Sequence, residues 1–383
     1  MKNKLLKHML WFIATIATTT VYSGQQVANN DCCNPCEPCE PCPCPPQTKP
    51  FDQGYELCPN NMMGAYNAPA RIDVCGSWDF FVDASFIYWH ASEEGLEPTL
   101  SDESANGLPI VNGQITQMDF KYEPGFKVGI GYNLSCHDDW QFYLGYTWLH
   151  FDQSVSTTSP ASGVLYPLQS HPAFSSAFDV TFARENWNVD IDLLDLEMAR
   201  PHYVGTMLTL RPFIGLRAQW IDQKLTTRYS GTTGTTALDE ANFRVTQNSK
   251  TWAVGPRVGV DSNWLLGCGF RLIGNIAGSI VYTKYTTLDY NERNLVSESD
   301  IVDVSEQQKV LRSILEFQSG FGYGMYFCNN SYHFDIAATY DFHHFWNQNA
   351  YRNFVDDVAV GKSFSNYTNL YLHGLTLTVR FDF

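Results

Sequence analysis

The feature that most constrains the fold is a long alternation of apolar and polar residues with period two. In the stretch 120–132 every even-numbered residue is apolar or proline, while lysine, glutamate and glycine occupy the odd positions. The same alternation runs through 140–148, 208–220 and 252–260. Successive side chains of a strand point to opposite faces, and helical spacing does not hold such a register. The sequence therefore predicts long strands, each with one apolar and one polar face.

A soluble sandwich also alternates, but three features favour a transmembrane barrel. Aromatic residues stand at both ends of an apolar face, as Trp140 and Trp148 do, and the opposite face is rich in glycine and charge. The connections also alternate in length, as in outer-membrane barrels with short periplasmic turns and long outer loops. We predict short turns at 136–139, 200–201, 261–263 and 328–331. We predict long loops near 91–117, 153–185, 229–250, 287–306 and 347–366.

The predicted fold class is all-β, a transmembrane antiparallel barrel of about ten strands. After residue 24 there is no run of about 18 apolar residues, which argues against a helical membrane protein. The stretch 162–185 leaves a twelve-strand barrel open. We predict strands near 78–90, 119–132, 139–152, 186–199, 204–228, 250–261, 264–285, 307–327, 332–346 and 367–383.

The two chain ends carry targeting features. Lys2, Lys4 and Lys7 precede a short apolar stretch, and small residues follow, which predicts a signal peptide over 1–23. At the other end the alternation over 371–383 closes on the terminal Phe383, which resembles the signal read by the barrel-assembly machinery. The predicted location is the outer membrane of a Gram-negative bacterium, with membrane lipid as a partner.

Residues 24–75 form a predicted periplasmic segment rich in cysteine and proline, ahead of a barrel over 76–383. Within it a Cys-x-Pro unit repeats with period three, which suits polyproline II and puts neighbouring cysteines about 9 Å apart. That exceeds the roughly 7 Å within which a disulfide closes, so these thiols pair elsewhere. Metal binding and a simple tether stay open as alternatives.

All eleven cysteines are predicted to face one compartment, because the three late ones lie in or near short turns. We predict a periplasmic disulfide network within this chain, in a homo-oligomer or with other Cys-rich envelope proteins. The alternative is that the late cysteines are merely small residues that fit. The cross-linking candidates are Cys32, Cys33, Cys36, Cys39, Cys42, Cys44, Cys58, Cys75, Cys136, Cys268 and Cys328.

The polar faces carry charges of both signs, which must face water or each other inside a membrane. They predict a lumen for passive diffusion of small hydrophilic solutes, with cation preference from acidic loops; pairing that seals the barrel is the alternative. A surface adhesin acting through its long acidic loops is a second alternative. The predicted pore-lining residues are Lys121, Lys127, Arg211, Arg217, Arg257, Arg271, Arg312, Arg380, Asp79, Asp83, Glu123, Glu316, Asp335 and Asp341.

Other chemistry is less well supported by the sequence. A net charge of −16 argues against nucleic acid as a partner. His333, Asp335, Asp341 and His343 share one strand face, but the outer pair would be about 30 Å apart, which favours lumen solvation over a metal site. No serine, histidine and carboxylate set has a recognisable spacing. We predict neither an enzyme nor a cofactor.

Five segments resemble the Legionella major outer membrane protein family. The resemblance covers about 78–383 and implies a porin-like barrel, with related paralogues in amoeba-associated relatives of Chlamydia. The Cys-x-Pro repeat departs from the Legionella pattern and points to the Chlamydia-like relatives, which are known for cystine-cross-linked envelopes. The segments are 78–89, 124–129, 210–217, 255–259 and 374–383.

Overall fold

The structure is a computed structural model that describes residues 67–76, 78–103, 111–134, 138–160, 163–175, 179–232 and 242–383. All of these belong to one compact unit, residues 46–383. The signal peptide, the Cys-x-Pro repeat and Cys136 lie outside the described residues, so what we predict of them stays a prediction. In the part of the chain that is described, no helix is long and apolar enough to cross a membrane.

The described chain contains fifteen strands and one short helix, α1 at Pro172–Ser175. The strands of the barrel wall are β1 Phe80–Glu93, β3 Tyr122–Leu134, β4 Trp140–Thr158, β6 Val180–Ala199, β8 Leu208–Thr232, β9 Phe243–Gly267, β10 Phe270–Asn294, β11 Asp300–Phe327, β12 Tyr332–Phe345 and β15 Leu370–Asp382. The short strands are β2 Thr99–Asp102, β5 Val164–Pro167, β7 His202–Tyr203, β13 Tyr351–Phe354 and β14 Ser363–Asn366.

Ten antiparallel strands close into a barrel, as predicted. The order around the wall is β1-β3-β4-β6-β8-β9-β10-β11-β12-β15, and β15 returns to pair with β1 from Phe81↔Asp382 to Glu93↔Leu370. The stretch 162–185, which left twelve strands open, instead supplies β5, α1 and the first residues of β6. We call the end of the barrel where the strands are joined by tight connections the turn end, and the other the loop end.

The turn predicted at 261–263 is wrong. Strand β9 continues to Gly267, and Asn263 pairs with both Thr209 and Ile273. Three polar residues imitate a turn signal there, yet the outward alternation goes on through Trp264 and Leu266. The actual turn contains Cys268, whose φ of 52° gives the tight reversal into β10.

The long loops predicted at 229–250 and 287–306 are largely strand. Each of β8, β9 and β10 has 25 residues, about 80 Å of extended chain, whereas a tilted strand crosses a bilayer in about 9–11. The polar alternation that looked like loop composition is the wall of a barrel that projects beyond the membrane at the loop end.

The outward face of the barrel carries an apolar belt between two aromatic levels. Phe126 and Ile130 are 42% and 47% exposed on this face, where lipid covers them in a membrane. Near the turn end the rings of Phe80 and Tyr132 lie 4.6 Å apart, and near the loop end those of Tyr88 and Tyr122 lie 5.4 Å apart. Two such girdles are typical of outer-membrane barrels.

Candidate functional site: the barrel lumen

The lumen near the turn end is a charged chamber with a cavity of about 340 Å³. Six cationic and six acidic side chains line it, so their formal charges balance. Nine of the fourteen predicted pore-lining residues are among them. They are Lys127, Arg211, Arg217, Arg257, Arg271, Arg380, Asp83, Glu316 and Asp335. Asp341 lines an adjoining cavity of about 110 Å³.

An ion-pair network crosses the chamber. Glu316 on β11 accepts hydrogen bonds from Arg257 on β9 (2.8 Å) and from Arg217 on β8. Arg217 also donates to both oxygens of Asp195 at 2.7 and 2.6 Å, and Arg257 donates to Glu197. These groups are almost wholly buried, so each charge depends on its partners to replace lost hydration.

The remaining chamber cations are paired in the same way. Lys127 Nζ lies 2.8 Å from Asp341, and Arg211 donates to Asp261 at 2.7 Å. Arg271 is joined to Asp335 by two hydrogen bonds. Arg380 lies 2.5 Å from Asp382 and 3.7 Å above the Phe81 ring, measured to the ring centroid. Each cation of the chamber therefore has at least one carboxylate partner.

Four carboxylates that pair with the chamber cations, Asp195, Glu197, Asp261 and Asp382, were not predicted from the sequence. On β6 the inward residues Val189, Ile191 and Leu193 are followed by Asp195 and Glu197. The doublet Leu193-Leu194 hides this change, because apolar residues occupy both faces there. The inward row therefore changes from apolar to charged along a single strand.

Four of the predicted pore-lining residues lie away from the chamber. Lys121 precedes β3, is largely exposed and lies 3.9 Å from Asp119. Asp79 lies at the foot of β1 and binds Arg71 (2.7 Å). Glu123 is half-buried at the register position opposite Trp89. Arg312 lies towards the loop end, over the rings of Tyr285 and Tyr367, at 5.7 and 5.1 Å from their centroids.

Above the chamber, towards the loop end, the lumen is filled by apolar side chains that the sequence did not predict. We call this set the apolar layer. Its floor is Trp89, whose indole N–H donates to Thr376 (3.0 Å) and whose ring lies 4.3 Å from Lys127 Nζ. The layer contains fully buried residues from most of the wall strands, among them Ile87, Trp89, Leu149, Phe151, Trp187, Ile191, Ile221, Val281, Ile314, Leu370 and Leu372.

At the turn end, residues 67–76 form a strap across the mouth. The Asn67 N–H donates to the Tyr203 carbonyl (2.7 Å) and the Cys75 N–H to the Asn330 carbonyl (2.7 Å). The first anchor is on β7, which pairs with β8, and the second lies in the turn between β11 and β12, three to four strands farther around the ring of ten. Between them Arg71 binds Asp79 (2.7 Å) and Asp139 (2.8 Å). A cavity of about 130 Å³ separates the strap from the chamber arginines.

The inward row of β12 agrees with the predicted shared face. His333, Asp335, Asp341 and His343 are all buried, but each contacts a different partner. His333 lies 3.1 Å from Asp382, and His343 lies 3.9 Å from Glu316. Among the described residues no group of three or more histidine, cysteine or acidic side chains is placed to hold a metal ion.

The match to a family model decides the assignment. The model of the Legionella pneumophila major outer membrane protein precursor matches residues 73–383. The chain belongs to the Legionella major outer membrane protein family. It is accordingly an outer-membrane β-barrel protein. No curated protein matches the sequence significantly.

Solved outer-membrane barrels are similar at low identity. The protease OmpT of Escherichia coli is 11% identical, with 82% of this chain and 99% of that chain covered and a TM-score of 0.39. A FadL homologue of Pseudomonas aeruginosa is 8% identical, covers 79% and 90%, and has a TM-score of 0.30. A major outer membrane protein of Thermus thermophilus is 10% identical, covers 79% and 98%, and has a TM-score of 0.26. Similarity this low says nothing about substrates or catalysis.

Proposed function

We propose that this outer-membrane barrel is a porin-like, non-enzymatic channel for small hydrophilic solutes and ions, closed in the present conformation. The observation that supports the proposal is the charged chamber, a polar cavity of about 340 Å³ inside the wall. A barrel that served only as a scaffold could fill this volume with side chains, as small barrels do. Opposed charges lining a wet cavity instead favour passage of polar solutes.

Two closures separate this chamber from the outside. The apolar layer closes it towards the loop end, and a dry apolar constriction blocks ions by excluding water. The strap closes it towards the turn end, which is the periplasmic side in this proposal. Conduction therefore requires displacement of both, and we expect openings of the unmodified protein to be small and rare.

Conductance of the refolded full-length protein in planar bilayers tests this function. Trp89→Ala removes the floor of the apolar layer, and Arg71→Ala releases the strap from Asp79 and Asp139. We expect each change to raise the open probability and the double variant to raise it most. The matched control is Trp148→Ala, which removes the same ring from the lipid-facing side. If the unmodified protein, both single variants and the double variant are all silent while correctly folded, the barrel is not a channel.

The ion preference rests on a separate part of the molecule. Every chamber cation is paired with a carboxylate, so we assign the ion preference to the mouth. The sequence stretches 91–117 and 287–306 carry exposed acids, among them Glu94, Glu103, Asp300 and Asp303, which concentrate cations within a Debye length of about 8 Å. We expect cation-selective reversal potentials in a KCl gradient. Anion selectivity would assign control to the lumen arginines.

A second role, disulfide linkage in the envelope, is favoured by the position of the cysteines. Cys268 and Cys328 are exposed in two turns of the turn end, and Cys75 hydrogen-bonds through its backbone to the second of these turns. We propose that thiols of this end, with the Cys-x-Pro repeat, cross-link the barrel to itself or to other Cys-rich envelope proteins.

Non-reducing gels of native envelopes test the linkage. We expect high-molecular-weight species that reductant converts to monomer and that decrease when Cys33, Cys36, Cys39 and Cys42 are replaced by serine. Replacement of Cys268 and Cys328 in a separate variant measures how much of the cross-linking depends on the cysteines of the turns. A monomer band without reductant, unchanged in both variants, would end this proposal and leave the channel proposal unaffected.

A further inference from the structure

Four arginines form a single row on the outward face of the projecting wall. In the strand register Arg184 on β6 faces Arg228 on β8, Arg228 faces Arg244 on β9, and Arg244 faces Arg293 on β10. Neighbouring strands are about 4.8 Å apart, so the four positions extend over about 14 Å in a line. We call this set the arginine row.

The row is accessible and firmly supported. Arg184 and Arg228 are exposed, and Arg244 and Arg293 are half-buried. The residues beside them in sequence point inward and pack in a second apolar cluster that includes Ala183, Tyr229, Phe243 and Val245. The backbone that carries the guanidinium groups is therefore held by a packed core, which fixes the spacing of the row before any ligand arrives.

The arginine row differs from the lumen in its lack of counter-charge. Among the described residues, no carboxylate lies within 4.0 Å of the side-chain nitrogens of Arg184, Arg228 or Arg244, and Arg244 Nε is buried without a hydrogen-bond acceptor. Arg293 donates to the Glu298 carbonyl (2.9 Å) and is the register partner of Asp300. Like charges opposite each other destabilise a sheet, so the row favours an anion from outside.

The height of the row identifies where that anion comes from. Trp220 and Trp252 are register partners at the outer aromatic level, and Arg228 and Arg244 lie eight residues farther along the same strands. Eight residues span about 26 Å, which becomes roughly 20 Å of height at the usual tilt of 35–45°. The headgroup zone is only about 5–8 Å deep on each side, so lipid phosphates do not reach the row.

We propose that the arginine row binds a linear sulfated polysaccharide outside the cell. A guanidinium group presents a planar fork of donors that suits the oxygens of a compact anion, and a line of four such groups suits a chain with regularly repeated charges. The row is a local feature, because the chain as a whole has a net charge of −16 and repels polyanions. Its function does not depend on conduction through the lumen.

Binding of a fluorescent heparin octasaccharide to the refolded full-length protein tests the site. We expect Arg228→Gln with Arg244→Gln to weaken binding at least about tenfold, and to make it less sensitive to salt, since fewer charge-assisted contacts remain. The matched control is Lys224→Gln with Lys250→Gln, which removes the same charge from the same two strands closer to the membrane. We expect the control to change affinity less than about twofold. Heat-modifiable gel mobility verifies folding of both variants.

Three results would overturn the proposal. Equal loss in the lysine control would mean diffuse attraction instead of a site. Equal affinity for a desulfated octasaccharide would mean that the arginine row does not recognise the sulfate groups. Direct binding of micelles of a phosphorylated glycolipid that is lost in the double arginine variant, with no binding of the octasaccharide, would assign the row to a membrane component.

Discussion

The carboxylate of Glu316 connects two buried guanidinium groups from different strands, so Glu316→Gln is a direct test of the lumen network. Glu316 is 8% exposed and accepts hydrogen bonds from Arg217 and Arg257. Glutamine preserves the volume but removes the charge. Removal of one partner from a buried pair costs about 3–5 kcal/mol, because the remaining charge keeps its desolvation penalty without its compensation.

The contacts that remain set the expected value within this range. Arg217 keeps Asp195 at 2.6 Å, and Arg257 keeps Glu197, so neither cation is left without a carboxylate. We therefore expect the lower limit, about 3 kcal/mol, which lowers the folding equilibrium constant about two orders of magnitude. The two arginines belong to β8 and β9 and the carboxylate to β11, so the loss acts across the barrel.

Urea titration of the protein refolded into lipid vesicles, followed by tryptophan fluorescence, measures the free energy of unfolding. The matched control is Glu306→Gln, which makes the same change in a partly exposed pair with Arg352. Such pairs contribute about 0–1 kcal/mol. If Glu316→Gln lowers the free energy of unfolding by less than about 1 kcal/mol, or by the same amount as Glu306→Gln, the idea that this ion-pair network stabilises the turn end of the barrel is refuted.

Two further predictions concern packing and assembly. A Cβ at Gly131 would overlap the Phe81 ring, so we expect Gly131→Ala to cost about 1–3 kcal/mol in the same titration, while Gly205→Ala, with no atom within 4 Å of the new Cβ, stays near zero. The Phe383 N–H donates to Phe80 and its carbonyl accepts from Trp78, so its backbone helps to close the barrel. We expect deletion of Phe383 to lower the amount of barrel in the outer membrane several-fold, measured by quantitative immunoblot, with refolding into vesicles unchanged. Equal losses in both assays would assign Phe383 a structural role instead of an assembly signal.

The part of the fold that faces lipid was predictable from the sequence. Because lipid covers the outside of the barrel, apolar residues such as Phe126 and Ile130 are expected on the outward face. Successive side chains of a strand point to opposite faces, so this also predicts which residues face the lumen. Strand ends were less predictable. Strand β9 passes through three polar residues at 261–263 because β8 and β10 continue to pair with it there.

The candidate site was predictable where a charged residue lies on the inward face of a strand whose outward face is apolar. Arg211, Arg217 and Arg257 meet this condition, and all three line the chamber. Their partners were harder to find, because an ion pair across a lumen joins residues such as Arg217 and Glu316 that are far apart in sequence. Only the strand order and the register bring them together.

The apolar layer has a physical origin that also explains why the pattern-based prediction missed it. Within the membrane β8 presents Ile214 and Leu216 outward and Arg217 inward. Beyond Trp220 the order inverts: Asp222 and Lys224 point outward, and Ile221 and Leu225 are buried inside.

Once a strand leaves the bilayer its outer face meets water, and only the interior can bury apolar surface, so polarity exchanges faces at the membrane boundary. The even positions of β8 are apolar below this boundary, whereas above it the apolar residues Ile221, Leu225 and Tyr229 are all at odd positions. The apolar layer is thus the core of the projecting barrel. The second apolar cluster supports the arginine row farther along the same strands, whereas the packing of the apolar layer closes the channel. Opening must therefore separate part of this core, which is why we expect it to be rare.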